Sequence, residues 1–263
     1  LRWAGGKRQI LQHLLANVPN DAGDRLYIEP FLGAGSLFFA LQPKRAILGD
    51  ANASLTDTYC QIRDSPKAVL LELRALITAH SSEHYYAVRD QYNASRPSAK
   101  QAARFIYLNK ACFNGIFRVN AKGKFNVPKG SKDVLSVPSV EELVSIGRAL
   151  ESAEIAPLDY AETMRKATSM SFVYLDPPYP ALNETAYFSH YTVDRFDNAS
   201  QEKLAFQTNK VHQKGALFLM SNADVPSIRA LYKDYQIDEL PVRRFVTCKK
   251  ARIQVSELLI RNY

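Results

Sequence analysis

Four consecutive residues, Asp176-Pro177-Pro178-Tyr179, bring a carboxylate, main-chain carbonyls and an aromatic ring to one place. Paired prolines stop a helix and remove two backbone donors, which leaves rigid, outward-facing carbonyls. The run before them, Ser171-Phe172-Val173-Tyr174-Leu175, is short and mostly apolar, the pattern of a buried strand. Asp176 is therefore expected at the carboxyl end of a core strand, the edge of an open α/β sheet where ligands bind. Carboxylate, carbonyl and ring together suit a planar substrate that carries an amino group. The plainer alternative is a proline-rich turn that closes a strand, with Asp176 as a solvated cap.

Two stretches nearer the start could hold a nucleotide-like ligand. Leu26-Tyr27-Ile28-Glu29 reads as a strand, followed by Pro30-Phe31-Leu32-Gly33-Ala34-Gly35-Ser36 and the apolar opening of a helix. Strand, Gly-x-Gly turn and helix form the nucleotide-binding arrangement, although Phe38 stands where a third glycine of a dinucleotide fingerprint belongs. The next strand, Ala46-Ile47-Leu48-Gly49, ends in Asp50, placed to accept from ribose hydroxyls or, alternatively, to cap the following helix. In Trp3-Ala4-Gly5-Gly6-Lys7 the glycines precede an amphipathic segment (Ile10, Leu11, Leu14, Leu15, Val18). They could let amides approach an anion at a helix N-terminus, with Lys7 as counter-charge.

Composition narrows the function classes. The chain has 263 residues and a formal net charge of +8. Six basic residues and no acid lie between Lys110 and Lys132: Lys110, Arg118, Lys122, Lys124, Lys129 and Lys132. A second acid-free group comprises Arg243, Arg244, Lys249, Lys250 and Arg252. Clustered charge points to a polyanion partner, the alternative being a solvated basic face. Cys60, Cys112 and Cys248 show no metal-ligand spacing and the five histidines form no ligand pattern, so no metal is expected. No apolar run of about 18 residues occurs, so no membrane span is expected. No signal-peptide pattern opens the chain, Leu1 in place of an initiator Met is expected from trimming, and a reduced cytoplasm is the expected setting.

Several elements must position these groups. Residues 52–108 read as helix in several pieces, with breaks near Ser65-Pro66, His80-Ser81-Ser82 and Ser95-Arg96-Pro97-Ser98. That is too much helix for one crossover and begins an insertion. The insertion continues into a basic hairpin, with Ile116, Phe117 and Val119 facing Phe125 and Val127 across a turn at Asn120-Ala121-Lys122-Gly123. A basic two-stranded ribbon can enter the major groove, where Arg reads guanine. Helices are expected near 138–150, 200–213 and 225–232, and strands at 154–156, 171–175, 215–220, 234–240 and 254–260. The polar, aromatic stretch 181–196, with Tyr187, Phe188, Tyr191 and Phe196, reads as an active-site loop.

Taken together, residues 2–7 (RWAGGK), 29–35 (EPFLGAG), 50–52 (DAN), the hairpin at 113–128, 176–179 (DPPY) and 255–259 (VSELL) resemble the Dam-type, α-group D12-class DNA adenine-N6 methyltransferases. The likeness runs nearly the whole chain in one consistent order. It implies an α/β fold, a Rossmann-like methyltransferase sheet with an inserted helical and β-hairpin DNA-recognition domain. The expected division is a catalytic domain at 1–54 and 153–263 and a target-recognition domain at 55–152. It also implies S-adenosylmethionine as methyl donor, double-stranded DNA as partner, a GATC site, a flipped adenine and a monomer in a bacterial or phage-infected cell.

By the same resemblance Asp176, Pro177 and Tyr179 are the catalytic set, and Asp176 also belongs with the cofactor residues. Those are Trp3, Ala4, Gly5, Lys7 (near the methionine carboxylate), Glu29, Phe31, Gly33, Gly35, Ser36, Asp50 (ribose), and Asp159 with Tyr160 (adenine). DNA would be met by Arg2, by Phe113 as an intercalator, by Asn114, Ile116, Arg118 and Pro128 near the bases, and by Lys122, Lys124, Lys129 and Lys132. Ser131 stands where the family carries a basic residue, which loosens the expectation for the outer base of GATC. Cytosine-C5 methylation needs a thiolate, usually after proline, and no cysteine here follows one. Zinc deaminases need HxE and PCxxC, both absent. Cytosine-N4 transfer normally carries Ser in place of Asp176. An adenine site other than GATC, a catalytically silent DNA-binding module and a nicotinamide oxidoreductase are the remaining alternatives.

Overall fold

The computed structural model describes residues 1–180, 196–245 and 252–263, with backbone alone for 241–245 and 252–255. Except for Phe196, the expected loop at 181–196 lies outside the described residues. So do Cys248 and the side chains of Arg243, Arg244, Lys249, Lys250 and Arg252. In chain order the elements are α1 (Leu11–Ala16), β1 (Leu26–Glu29), α2 (Ser36–Leu41), β2 (Arg45–Gly49), α3 (Ala53–Asp64), α4 (Pro66–Thr78), α5 (Ser82–Asn93) and α6 (Ala99–Ala111). A 3-10 turn at Phe113–Gly115 follows, then α7 (Val140–Leu150), β3 (Ala153–Ala156), α8 (Tyr160–Arg165) and β4 (Ser171–Leu175). The chain ends with α9 (Asn198–Gln213), β5 (Leu217–Ala223), α10 (Pro226–Leu231), β6 (Gln236–Phe245) and β7 (Arg252–Arg261). It divides into two compact units: Leu1–Gly6, Gly33–Gly35 and Asp50–Pro157 in the first, and Lys7–Leu32, Ser36–Gly49 and Leu158–Tyr263 in the second.

The second unit holds a mixed sheet of six strands in the order β2-β1-β4-β5-β7-β6, and β3 lies in the first unit. β1 runs parallel to β2 (Leu26 opposite Arg45) and to β4 (Leu26 opposite Ser171), and β4 runs parallel to β5 (Phe172 opposite Leu217). β7 is antiparallel to both β5 and β6. Every residue of β4 is buried, as a parallel strand covered on both faces must be. Ile28, Val173, Leu175, Phe218, Met220, Leu258 and Ile260 form one core with Met164, Leu204, Val211 and Ile228 from α8, α9 and α10. Strand order reverses between β1 and β4, so their carboxyl ends, at Glu29 and Asp176, flank the switch point where such sheets bind ligands.

Five helices make up most of the first unit, and their starts are fixed by side-chain caps. Asn52, Ser81 and Ser98 accept from Leu55, His84 and Gln101 at α3, α5 and α6, Pro66 opens α4, and Ser139 with Glu142 forms a capping box at α7. The cap of α3 is thus Asn52, which removes the capping alternative for Asp50. Nine residues of α6 are buried, making it the helix around which this unit packs.

Two expectations are corrected. The basic ribbon is reduced to a single bridge, Val119 opposite Phe125, with Asn120 N–H on Lys124 O and Asn126 N–H on Arg118 O. The ladder stops at its base, where Ile116 N–H bonds to Phe113 O, Pro128 has no N–H and the Pro128 carbonyl accepts from Phe113 N. On the hairpin's outer edge Asn93 accepts from Phe125 N (2.8 Å) and donates to Phe125 O (3.0 Å), and Tyr85 donates to Val127 O (2.8 Å), so helix side chains hold the strand that the short ladder leaves. The second correction concerns the glycine-rich opening. α1 begins at Leu11, and Ile10 N–H closes a turn on Lys7 O, so Gly5 and Gly6 do not open onto a helix N-terminus.

Candidate active site

In the second unit Asp176 leaves β4 partly exposed (20 %), and its Oδ1 atom is held twice. Lys7 Nζ lies 2.9 Å away and Ser221 Oγ donates from 3.1 Å. Tyr174, buried in β4, shares a hydrogen bond with the same Ser221 hydroxyl at 3.1 Å. With Ser221 donating onward, Tyr174 donates to it, and a hydroxyl relay fixes the carboxylate. Oδ2 is left without a protein partner among the described residues. The solvated-cap reading of Asp176 is therefore excluded. Burial pushes its carboxyl above the ordinary range, Lys7 and Ser221 pull it back, and the charge of Glu257 adds to the rise.

Lys7 is buried among several partners. Its ammonium donates to Tyr179 Oη at 2.8 Å and lies 3.9 Å from Glu257 Oε2, and Tyr179 in turn donates to Glu257 at 2.9 Å. Main-chain geometry after Asp176 is held from α9, where Gln201 donates to Pro178 O at 3.0 Å. Asn222 of β5 donates to Gln201 at 3.2 Å, so adjacent β5 residues steady the Asp176 carboxylate and the proline carbonyls. At β1, Tyr27 donates to the buried Glu29 carboxylate (2.8 Å). Just beyond, the Phe31 ring stacks on Tyr160 (centroids 5.3 Å) and meets Phe196 edge-on (5.8 Å). Asp159 caps α8 by accepting from Ala161 N, and Ser36 opens α2.

In the first unit Asp50 accepts from Gly33 N through Oδ2 and from Asn52 N through Oδ1, both at 2.9 Å. Burial raises this carboxyl and the two amides oppose the rise. Gly33 has φ +47, and a Cβ there would stand 2.9 Å from Trp3 Cδ1, so the indole lies directly over a turn that only glycine fits. Trp3 also stacks on Phe117 (5.9 Å). Ala4 and Gly5 are exposed, and Gly35 is buried with φ +63.

A tight turn after α6 is built in the same unit. Asn114 and Gly115 are both left-handed (φ 54 and 67), which turns Phe113 outward to 52 % exposure. Asn109 pairs with Arg2 through its N–H and carbonyl, both at 2.8 Å, and donates to Gly115 O at 3.1 Å. A Cβ on Gly115 would meet Arg2 Cδ at 2.7 Å, so the arginine stem lies flat on this turn. Arg118 donates to Asn126 Oδ1 (2.9 Å), Ile116 is half-buried, and Pro128, Lys122, Lys124, Ser131 and Lys132 are exposed. Lys129 turns inward to Gly130 O, Lys132 O and Asp133.

A model of the D12 class N6 adenine-specific DNA methyltransferases matches residues 3–245. The chain belongs to this family. It is 35 % identical to the Type II methyltransferase M.MjaIII of Methanocaldococcus jannaschii, over 100 % of this chain and 98 % of that protein. It is 33 % identical to the Type II methyltransferase M1.LlaDCHI of Lactococcus lactis subsp. cremoris, over 100 % of this chain and 94 % of the relative. Identity to the DNA adenine methylase of Vibrio cholerae is 34 %, over 98 % of this chain and 94 % of the relative. The chain is accordingly an adenine-specific DNA methyltransferase with an α/β, Rossmann-like sheet.

A D12 methyltransferase implies S-adenosylmethionine as methyl donor. Within the first unit the groups present suit its ribose and main-chain-lined part: a half-buried carboxylate held by two amides, and a glycine turn under an indole. Among the described residues no group of three or more His, Cys, Asp or Glu side chains could hold a metal ion, and no helix is long and apolar enough to cross a membrane. Sequence reasoning did not single out Ser221, Glu257, Gln201, Asn109 or Asn93 as site residues. The available signals were slight: a polar pair, Ser221-Asn222, after an apolar run, and one acid, Glu257, before the apolar run Leu258-Leu259-Ile260.

Proposed function

We propose that this methyltransferase acts on an adenine turned out of duplex DNA, within GATC, with S-adenosylmethionine as donor. The observation that carries the reading is the half-engaged Asp176 carboxylate, Oδ1 fixed by Lys7 and Ser221 and Oδ2 left to accept, next to the Pro177 carbonyl at the switch point. Adenine N6 is a poor nucleophile because its lone pair is delocalised into the ring. Asp176 Oδ2 and Pro177 O would take its two hydrogens, draw the nitrogen toward tetrahedral geometry and localise that lone pair. No base removes a proton beforehand, since the N6–H becomes acidic only after methylation. Tyr179 would stack on the base and help offset the few kcal/mol that flipping costs. Fixing both reactants in a near-attack geometry contributes on the order of 7–11 kcal/mol.

S-adenosylmethionine, when bound, supplies an electrophilic methyl group. Asp50 would take the ribose hydroxyls on its remaining lone pairs. Trp3, Ala4, Gly5, Gly33, Gly35 and Ser36 would line the binding site, Glu29 and Phe31 would border it at β1, and Asp159 with Tyr160 would hold the adenine. Residues 55–152 would form the target-recognition domain, with Phe113 wedged beside the target step, Asn114, Ile116, Arg118 and Pro128 near the bases, and Arg2 held on the same turn. The relatives named as DNA adenine methylases support adenine as the target, and GATC is the site that the family resemblance implies. The test is transfer of labelled methyl to duplexes that differ only in GATC. Incorporation confined to the GATC adenine is expected. Equal incorporation without GATC overturns the site, and none into any adenine overturns the whole reading. A single chain would suffice for turnover, checked by light scattering of the DNA-bound protein.

A further inference from the structure

One ammonium faces two carboxylates beside the reacting position. Lys7 Nζ lies 2.9 Å from Asp176 Oδ1 and 3.9 Å from Glu257 Oε2, with the Tyr179 hydroxyl bridging Lys7 and Glu257. Glu257 is 3 % exposed, and Leu258, Leu259 and Ile260 after it in β7 are fully buried, so packing gives no reason for an acid there. A buried carboxylate is retained at a cost unless its charge is answered, and Lys7 with Tyr179 answers it. An ammonium seated on Oδ1 also withdraws electron density from Asp176 and weakens it as an acceptor. An incoming amino group needs the stronger acceptor. A small displacement of Nζ along the Tyr179 bridge moves the ion pair from Asp176 to Glu257.

We infer that Glu257 is a positioning residue, the second seat for the Lys7 ammonium, which strengthens Asp176 as hydrogen-bond acceptor by drawing that charge away when adenine arrives. This rests on the reading that Asp176 accepts N6 hydrogens. Among the described residues, the titratable and charged groups around Asp176 are Lys7, Glu29 and Tyr27 of β1, Tyr174 of β4, Tyr179, and Glu257 of β7. Among them Lys7 is the cation that can change partners, and Glu257 is the carboxylate within its reach besides Asp176.

The experiment compares Glu257→Gln and Glu257→Asp with the parent protein on GATC duplexes, reading kcat, KM for DNA, the pH profile of kcat, and Tm without DNA. For the Gln variant kcat is expected to fall about tenfold, the worth of one weakened charge-assisted hydrogen bond, with KM unchanged. Its acid limb should move to lower pH, because Lys7 stays committed to Asp176 and a nearby negative charge is gone. The Asp variant should restore the limb and most of the rate. A Gln variant with parental kcat and limb overturns the inference. So does a rate loss with an unmoved limb and a Tm drop shared by the Asp variant, which is a structural role. If the Gln variant does not fold, Tyr179→Phe breaks the bridge without removing a carboxylate, and an unmoved limb there overturns the inference equally. Asp176→Ala separates the layers: turnover in that variant overturns the underlying reading, whereas a silent Asp176→Ala beside an indifferent Glu257→Gln overturns this inference alone.

Discussion

Asp176 is raised by burial and lowered by Lys7 and Ser221, and this balance is open to direct titration. In the proposed mechanism transfer requires its ionised form, so kcat should fall as pH drops through a pKa above the ordinary aspartate range. Ser221→Ala removes a hydrogen bond that favours the carboxylate, and the acid limb should then move to higher pH, opposite to the Glu257→Gln shift; an unmoved limb in the pH–kcat profile would count against the relay. Asp176→Ala should abolish methyl transfer while duplex affinity, measured by anisotropy, stays within a few-fold, because the proposed role of the residue is in the chemistry and not in phosphate contact. At this scale the sequence was partly legible. Asp176 to Tyr179 could be read because carboxylate, carbonyls and ring are contiguous. Ser221, Gln201 and Glu257 could not, since no local pattern marks them and their meaning exists only after the fold brings positions 7, 176, 221 and 257 together.

Helix-borne side chains, more than a β-ladder, hold the hairpin at 116–127, and the consequences belong to the elements. Asn93 of α5 satisfies both backbone groups of Phe125, so Asn93→Ala leaves a donor and an acceptor unpaired. Loss of about 1–3 kcal/mol in urea unfolding is expected, together with relaxed site choice in methylation assays. An unchanged midpoint would mean that the hairpin is held elsewhere. Asn109 of α6 acts similarly on Arg2 and Gly115. The helices of this unit were visible in the sequence through their Ser and Pro punctuation, which reappears as Ser65-Pro66, Ser81 and Ser98 at the starts of α4, α5 and α6. The two-stranded ribbon was over-read. Alternating apolar residues with a glycine turn signal a hairpin, but periodicity within a segment carries no information on the tight turn at Phe113–Gly115 that takes the Ile116 N–H and the Pro128 carbonyl and ends the ladder.

For the molecule as a whole, the strand–glycine turn–helix pattern and the acid ending the next strand identified the Rossmann-like half. The reversal between β1 and β4 could not be read, because the long insertion separates them in sequence and strand order is a property of the folded sheet. Charge was legible as a total of +8 and as a cluster at 110–132, not as a set of free ammonium groups. The structure sorts that cluster. Lys122 and Lys124 are exposed at the hairpin tip, whereas Lys129 bonds to Gly130 O, Lys132 O and Asp133. Affinity for duplex DNA should follow the release of counterions, so the plot of log K against log salt should be linear and steep. Lys122→Ala and Lys124→Ala should each lower its slope by about 1 and weaken all sequences alike. Lys129→Ala should change the slope by less, because its ammonium is already engaged within the loop, and should act instead through the geometry of residues 129–133. Slopes from titrations at several salt concentrations decide the matter: an equal fall for all three variants would mean that Lys129 leaves its loop partners to meet phosphate.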